Sequence, residues 1–172
     1  MLTHLQIQNF ALIEHLEVSF LEGMTCITGE TGAGKSIILG GLSLVLGKRA
    51  DMSMLLDASK KCTIEATFDL KSHEVESLFE SFELDYDHQT FLRREILPQG
   101  KSRAFINDSP VSLHILQQIG KKLIDIHSQN ETQSLLENDR QFDVLDALGG
   151  NDLLLSKFTD RLQEFKKITK DY

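Results

Sequence analysis

No run of apolar residues in this chain approaches the roughly 18 that a membrane-spanning helix needs. A helical membrane span is therefore excluded, and no membrane partner is expected. The opening residues, MLTHLQIQNF, lack the basic segment and apolar stretch of a secretory signal. The expected compartment is the cytoplasm. Cysteine is scarce: Cys26 and Cys62 fit no metal or redox spacing, and their apolar, strand-like surroundings predict reduced core residues. The histidines, His114 and His127 among them, show no metal-ligand spacing either. An excess of basic charge is also missing. The formal net charge is −8, which argues against a protein that binds nucleic acid over its whole surface. It leaves room for a local basic patch, or for contacts made by parts outside the chain. Internal repeats and low-complexity segments are absent.

What remains is an ordinary globular composition, 41% hydrophobic and 26% charged, over 172 residues, enough for a domain with a core. The first 20 residues alternate. Leu5-Gln6-Ile7-Gln8 and Leu16-Glu17-Val18-Ser19-Phe20 have the period of half-buried strands, with a turn expected at Asn9-Phe10-Ala11. Met24 to Thr28 reads as a short buried strand. Ser36 to Leu46 reads as a helix ended near Gly47. Alternation returns over residues 62 to 70, and a helix is expected from Lys71 to Phe82. Residues 90–97 and 102–107 read as two strands joined by a Pro98-Gln99-Gly100-Lys101 turn, after which Ser109-Pro110 breaks the pattern. Ser112 caps a helix predicted to run to Gly120, followed by a short strand, Leu123 to Ile126, and a further helix from Glu137 to Leu148. Apolar residues at Leu155, Phe158, Leu162 and Phe165 are spaced 3, 4 and 3, the seam of a coiled coil, with no stop signal before Tyr172. Fewer than three heptads are present, so on length alone 151–172 reads as an ordinary amphipathic helix, while residues 1–150 are expected as one domain.

The strongest motif lies between the predicted strand and helix. Gly29-Glu30-Thr31-Gly32-Ala33-Gly34-Lys35-Ser36 matches G-x-x-x-x-G-K-[ST] in full. A triphosphate needs many donors converging on its oxygens. Glycines let the backbone curl so that successive N–H groups point inward. The helix that follows adds unpaired N–H groups and the positive end of its dipole. Lys35 is placed to reach the β- and γ-phosphates, and the Ser36 hydroxyl to ligate Mg²⁺. The eight residues are therefore expected to hold ATP with Mg²⁺.

Two classes carry such a loop at this chain length: a small kinase that phosphorylates a metabolite, and an ATPase head of the ABC and SMC type. Two alternating strands ahead of the loop favour the head. Leu5 to Ile13, Gly23-Met24-Thr25, Ile27 to Ser36, Leu46-Gly47-Lys48-Arg49-Ala50, Gly100-Lys101-Ser102-Arg103-Ala104-Phe105-Ile106-Asn107 and Ile124-Asp125-Ile126-His127-Ser128-Gln129 together resemble the RecN family. These are bacterial SMC-like ATPases of DNA double-strand-break repair. The resemblance implies an α/β P-loop NTPase fold of ABC/SMC head type over residues 1–150, with a mixed sheet and an antiparallel β subdomain, and the start of a coiled-coil helix over 151–172. It implies that the chain is the N-terminal part of a head completed by the C-terminal part of the same protein. ATP would join it to a second head, and DNA would be the partner on the nucleoid. It also implies that Gln129 is the Q-loop glutamine, touching Mg²⁺ and the attacking water, a role suited to an amide that both accepts and donates. Arg49 matches an arginine used near nucleotide or DNA. Lys101 and Arg103 are either DNA contacts or solvated strand charges.

Hydrolysis needs an acidic metal partner and a residue that positions water. An Asp-Glu pair after an apolar strand is absent. Leu123-Ile124-Asp125-Ile126 is followed by His127 where a glutamate belongs, and an L-S-G-G signature is missing; Ala147-Leu148-Gly149-Gly150 closes a helix instead of opening one. The chain is therefore expected to bind ATP without turning it over.

Overall fold

The computed structural model describes residues 1–29, 34–70, 73–126 and 148–170. The chain divides into two compact units, Met1–Ile126 and His127–Tyr172. The domain boundary expected at residue 150 falls within the second unit. The helix expected from Glu137 lies almost wholly outside the described residues.

The first unit is built on one six-stranded sheet in the order β2-β1-β3-β4-β5-β6. Its strands are β1 (Leu2–Phe10), β2 (Ile13–Ser19), β3 (Cys62–Asp69), β4 (Gln89–Ile96), β5 (Ser102–Ile106) and β6 (Ser109–Val111). Every pairing is antiparallel. Alternation decides which face is covered. Leu5, Ile7, Ile64, Ala66, Phe68, Leu92 and Ile106 are buried on one face, while Gln8 and Arg103 stand on the other, exposed. Each large side chain buried this way stabilises the fold by about 1.5–3 kcal/mol. On the open face Arg93 lies 4.6 Å from the centre of the Phe105 ring and 3.9 Å from Glu65.

Helices α1 (Lys35–Val45) and α3 (Leu113–Leu123) cover the apolar face with Leu42, Leu44, Val45, Leu116 and Ile119. Helix α2 (His73–Ser81) contributes Val75 and the fully buried Phe79, whose ring meets Tyr86 edge-on. Helix α1 lies close to β1, because a Cβ at Gly41 would stand 2.8 Å from Ile7 Cδ1. The two flanking helices meet where Gln117 Nε2 donates to the Gly47 carbonyl at 2.7 Å. In the second unit, α4 (Asp152–Lys170) carries Leu155, Phe158, Leu162 and Phe165, all exposed.

Several expectations are corrected. Met24 to Thr28 is not a strand: it has no ladder partner among the described residues, Met24 is 95% exposed, and Cys26 is exposed with it. A short apolar strand buried on both faces depends on neighbours on each side, and none of the six strands flanks it. Cys62 is buried as expected, and burial pushes its thiol up to about 11. Ser109-Pro110 does not interrupt the sheet but forms β6, with Pro110 opposite Phe105. Proline is accommodated there because β6 is an edge strand. Leu123 ends α3, and Ile124 to Ile126 pair with no strand. Gly120 does not stop that helix, because it is where α3 packs on Leu46: a Cβ would lie 3.1 Å from the Leu46 carbonyl oxygen.

The turn expected at Asn9 is also displaced. Strand β1 continues to Phe10, and the reversal comes at Ala11, with Phe10 opposite Ile13. Asn9, at a φ of 54°, is buried and acts as a clamp. Its amide donates to the carbonyls of Asp57, Lys60 and Lys61, and its oxygen accepts from the Asp57 N–H at 2.7 Å. Asn9→Ala leaves these groups without partners, and alanine tolerates the left-handed backbone poorly. We expect a loss of about 2–4 kcal/mol, read as a lower urea midpoint at constant slope; a loss under about 0.5 kcal/mol contradicts the clamp. A thiol reagent at about pH 8 should modify Cys26 at least about 100-fold faster than Cys62, with the two rates converging in denaturant.

Candidate functional site

The phosphate-loop motif is described at both ends: Gly29 on one side, and Gly34, Lys35 and Ser36 on the other. Glu30, Thr31, Gly32 and Ala33 lie outside the described residues. Gly34 is the N-cap of α1 at φ 89° and ψ 0°, a left-handed conformation that other L-residues adopt only with strain. That geometry turns the chain from the loop into the helix within one residue. No side chain caps the helix, and no acidic residue occupies its first turn. Among the described residues, therefore, no capping side chain or first-turn carboxylate offsets the positive end of the helix dipole. The Gly34 carbonyl accepts the N–H groups of Ile37 at 2.9 Å and Ile38 at 3.1 Å, which fixes the first turn.

Lys35 Nζ donates to the Gly29 carbonyl, folding the ammonium back across the mouth of the loop. Ser36 is exposed at the second helical position. The arrangement thus presents an uncapped helix end, a cation and a hydroxyl within a few residues. An anion with several oxygens is what such a donor set fits. A triphosphate and its Mg²⁺ suit it: the glycine cap admits close approach, Lys35 supplies charge and Ser36 supplies a neutral oxygen.

The other residues singled out from sequence are distributed differently. Arg49 is exposed just beyond α1, and Lys101 and Arg103 are exposed at the start of β5. Arg103 stands opposite Glu95, which pairs with Lys61 at 3.1 Å. Gln129 and His127 lie outside the described residues. Asp125 is in an extended segment, not in a strand. Among the described residues no cluster of histidine, cysteine and carboxylate could hold a metal ion, and no helix is long and apolar enough to cross a membrane. One charged residue escaped the reading of the sequence. Arg94 lies on the apolar face of β4 and is 3% exposed. The signal was present, since it sits between Leu92 and Ile96 in the alternation of that strand.

Comparison with known proteins places this geometry. The AAA domain family model matches residues 4–172. The DNA repair protein RecN of Vibrio cholerae is 40% identical over 168 residues, covering 97% of this chain and 30% of the relative. RecN of Bacillus subtilis is 37% identical over 174 residues, covering 99% and 30%. The chain therefore spans about 30% of the length of the curated relatives it matches. Among solved structures, the Smc head domain with an extended coiled coil from Pyrococcus furiosus, bound to the C-terminal domain of ScpA, superposes with a TM-score of 0.69. It is 18% identical and covers 99% of this chain and 47% of that one. The recombination mediator RecF with ATP gives a TM-score of 0.57 at 15% identity, covering 86% and 38%. These likenesses establish the fold as that of SMC-type and RecF-type P-loop ATPase heads. The chain belongs to the AAA domain family, and within it is similar to the N-terminal ATPase region of RecN.

Proposed function

We propose that this chain is the N-terminal part of an SMC-like ATPase head that acts in repair of DNA double-strand breaks, and that it binds ATP with Mg²⁺ through Gly29 to Ser36. The observation that carries the reading is the uncapped start of α1, with Gly34 left-handed and Lys35 folded toward Gly29. In this reading Lys35 neutralises the β- and γ-phosphates and Ser36 holds the metal. Glu30, Thr31, Gly32 and Ala33 contribute backbone donors, and Gln129 meets the metal and the attacking water. Bound Mg²⁺ would offset charge on the phosphate oxygens; the chain's own part is to bind and orient.

The chain lacks an Asp-Glu pair and a signature motif. The reading therefore assigns those groups to the C-terminal part of the same head and to a second head. The exposure of Leu21, Met24 and Ile27, which precede the loop, supports it, since these are the apolar side chains that further strands would cover. The exposed apolar stripe of α4 supports the start of a coiled coil in the same way. Two solved relatives are described as Smc heads bound to a partner domain and as SMC ATPases with ATP-driven dimerisation and DNA-stimulated activation. We extend dimerisation and DNA binding to the whole protein of which this chain is a part, with the cytoplasm as its compartment. No observation favours the small-kinase alternative.

A fluorescent ATP analogue with Mg²⁺ should bind the chain, and Lys35→Ala should weaken that binding by at least about tenfold, the loss of one charge-assisted contact. The far-ultraviolet circular dichroism should not change. Phosphate release should stay at background. Steady turnover that Lys35→Ala abolishes would contradict the assignment of the hydrolytic groups to other parts.

A further inference from the structure

The open face of the sheet is not uniformly polar. Alternation puts Phe91, Arg93 and Glu95 on it from β4, and Arg103 and Phe105 from β5. Register sets their order. Arg93 stands opposite Phe105 and Glu95 opposite Arg103. Phe91 and Phe105 are therefore diagonal neighbours, roughly 7–8 Å apart. Phe91 is 37% exposed, Phe105 is half-buried, and the exposed Pro110, opposite Phe105, extends the apolar surface onto β6.

Charge is sorted along the same strands. Lys61, Lys101 and Arg103 lie at the end where β4 finishes and β5 begins, and the two rings lie toward the other end. Arg93 stands between, its guanidinium 4.6 Å from the centre of the Phe105 ring. The carboxylates of these rows are taken up: Glu65 meets Arg93 at 3.9 Å, and Glu95 meets Lys61 at 3.1 Å. Lys101 and Arg103 form no ion pair among the described residues. Asp108 lies in the turn beyond β5, at the ring end, away from them.

Rings and cations interleaved on one sheet face suit a single nucleic-acid strand. Every base has a π-face to stack on a ring or a guanidinium, and every nucleotide brings one phosphate. Phe105 and Arg103 are two residues apart, about 7 Å along the strand, comparable to the reach from a stacked base to the phosphate of its own nucleotide. A duplex fits poorly. Its bases are stacked on one another about every 3.4 Å and offer no free face to two rings spaced twice as far. Its charge density also asks for more cations than this face carries in a chain of net charge −8.

We infer that the open face around Phe91, Arg93, Arg103 and Phe105 binds single-stranded DNA, with bases at the rings and phosphates toward Arg103. The choice of DNA rests on the reading of the whole protein as a DNA-repair ATPase. The face itself shares no residue with the loop at Gly29 to Ser36.

The test follows the anisotropy of a fluorescein-labelled thymidine oligomer of about 15 nucleotides, titrated with the 172-residue chain at several salt concentrations. The oligomer should bind, and Phe91→Ala should weaken it at least about fivefold, the low end for one stacked base. Arg103→Ala should reduce the slope of log affinity against log salt by about 0.7, one phosphate contact on a single strand. Both side chains are exposed, so both variants should keep the far-ultraviolet circular dichroism and the affinity for the fluorescent ATP analogue. A duplex of equal length should bind more weakly than the single strand. An oligomer that does not bind, an affinity unchanged by Phe91→Ala, or a preference for the duplex overturns the site, and each leaves the nucleotide reading intact. Failure of the ATP analogue to bind, with the oligomer bound and weakened by Phe91→Ala, counts against the nucleotide reading alone and upholds this face.

Discussion

Helix α1 lies against β1 as closely as it does because position 41 has no side chain. A Cβ on Gly41 would meet Ile7 Cδ1 at 2.8 Å and Phe10 Cδ1 at 3.7 Å, and Gly40 faces the Phe10 ring at 3.6 Å. The same helix begins at Gly34 and carries Lys35 and Ser36 in its first turn. The phosphate loop is therefore seated on the antiparallel sheet through two glycines and two apolar side chains. Ile7 and Phe10 belong to β1, whose far end is held to the 57–61 loop by Asn9.

That seating explains how an otherwise acidic chain can offer an anion site. The charge that the described residues bring there is local: one ammonium and one helix end, with no capping carboxylate among them. The candidate site sits where a helix begins, which is where backbone N–H groups lack partners of their own. The hydrolytic groups are of a different kind, since they need acidic side chains, and none of the described residues brings one to the first turn of α1.

How much of this was legible in the sequence depended on where the deciding contacts lay. Strands β1, β3, β4 and β5 were readable because each has one covered face, so the residues alternate. Helix α3 was readable from Ser112, which caps it as expected. Met24 to Thr28 misled because an apolar run specifies a strand only if neighbours exist to pair with it. Pro110 misled in the opposite direction, since a proline is compatible with an edge strand and only the topology says where the edge is. Gly120 looked like a helix end and is a packing contact with Leu46, which lies far away in sequence. The phosphate-loop motif was readable as eight consecutive residues, of which the structure describes Gly29 and Gly34 to Ser36. Arg94 was passed over, although the alternation of β4 puts it between Leu92 and Ile96 on the covered face.

The central claim is that α1 and the residues just before it form a nucleotide cradle on a sheet that is already folded without it. Amide hydrogen exchange of the chain, with and without ATP and Mg²⁺, tests this most directly. The account predicts slower exchange on nucleotide addition in the peptide that spans Gly29 to Ile38, with β3, β4 and β5 unchanged. Exchange that stays the same over Gly29 to Ile38, or that slows only elsewhere, would contradict it.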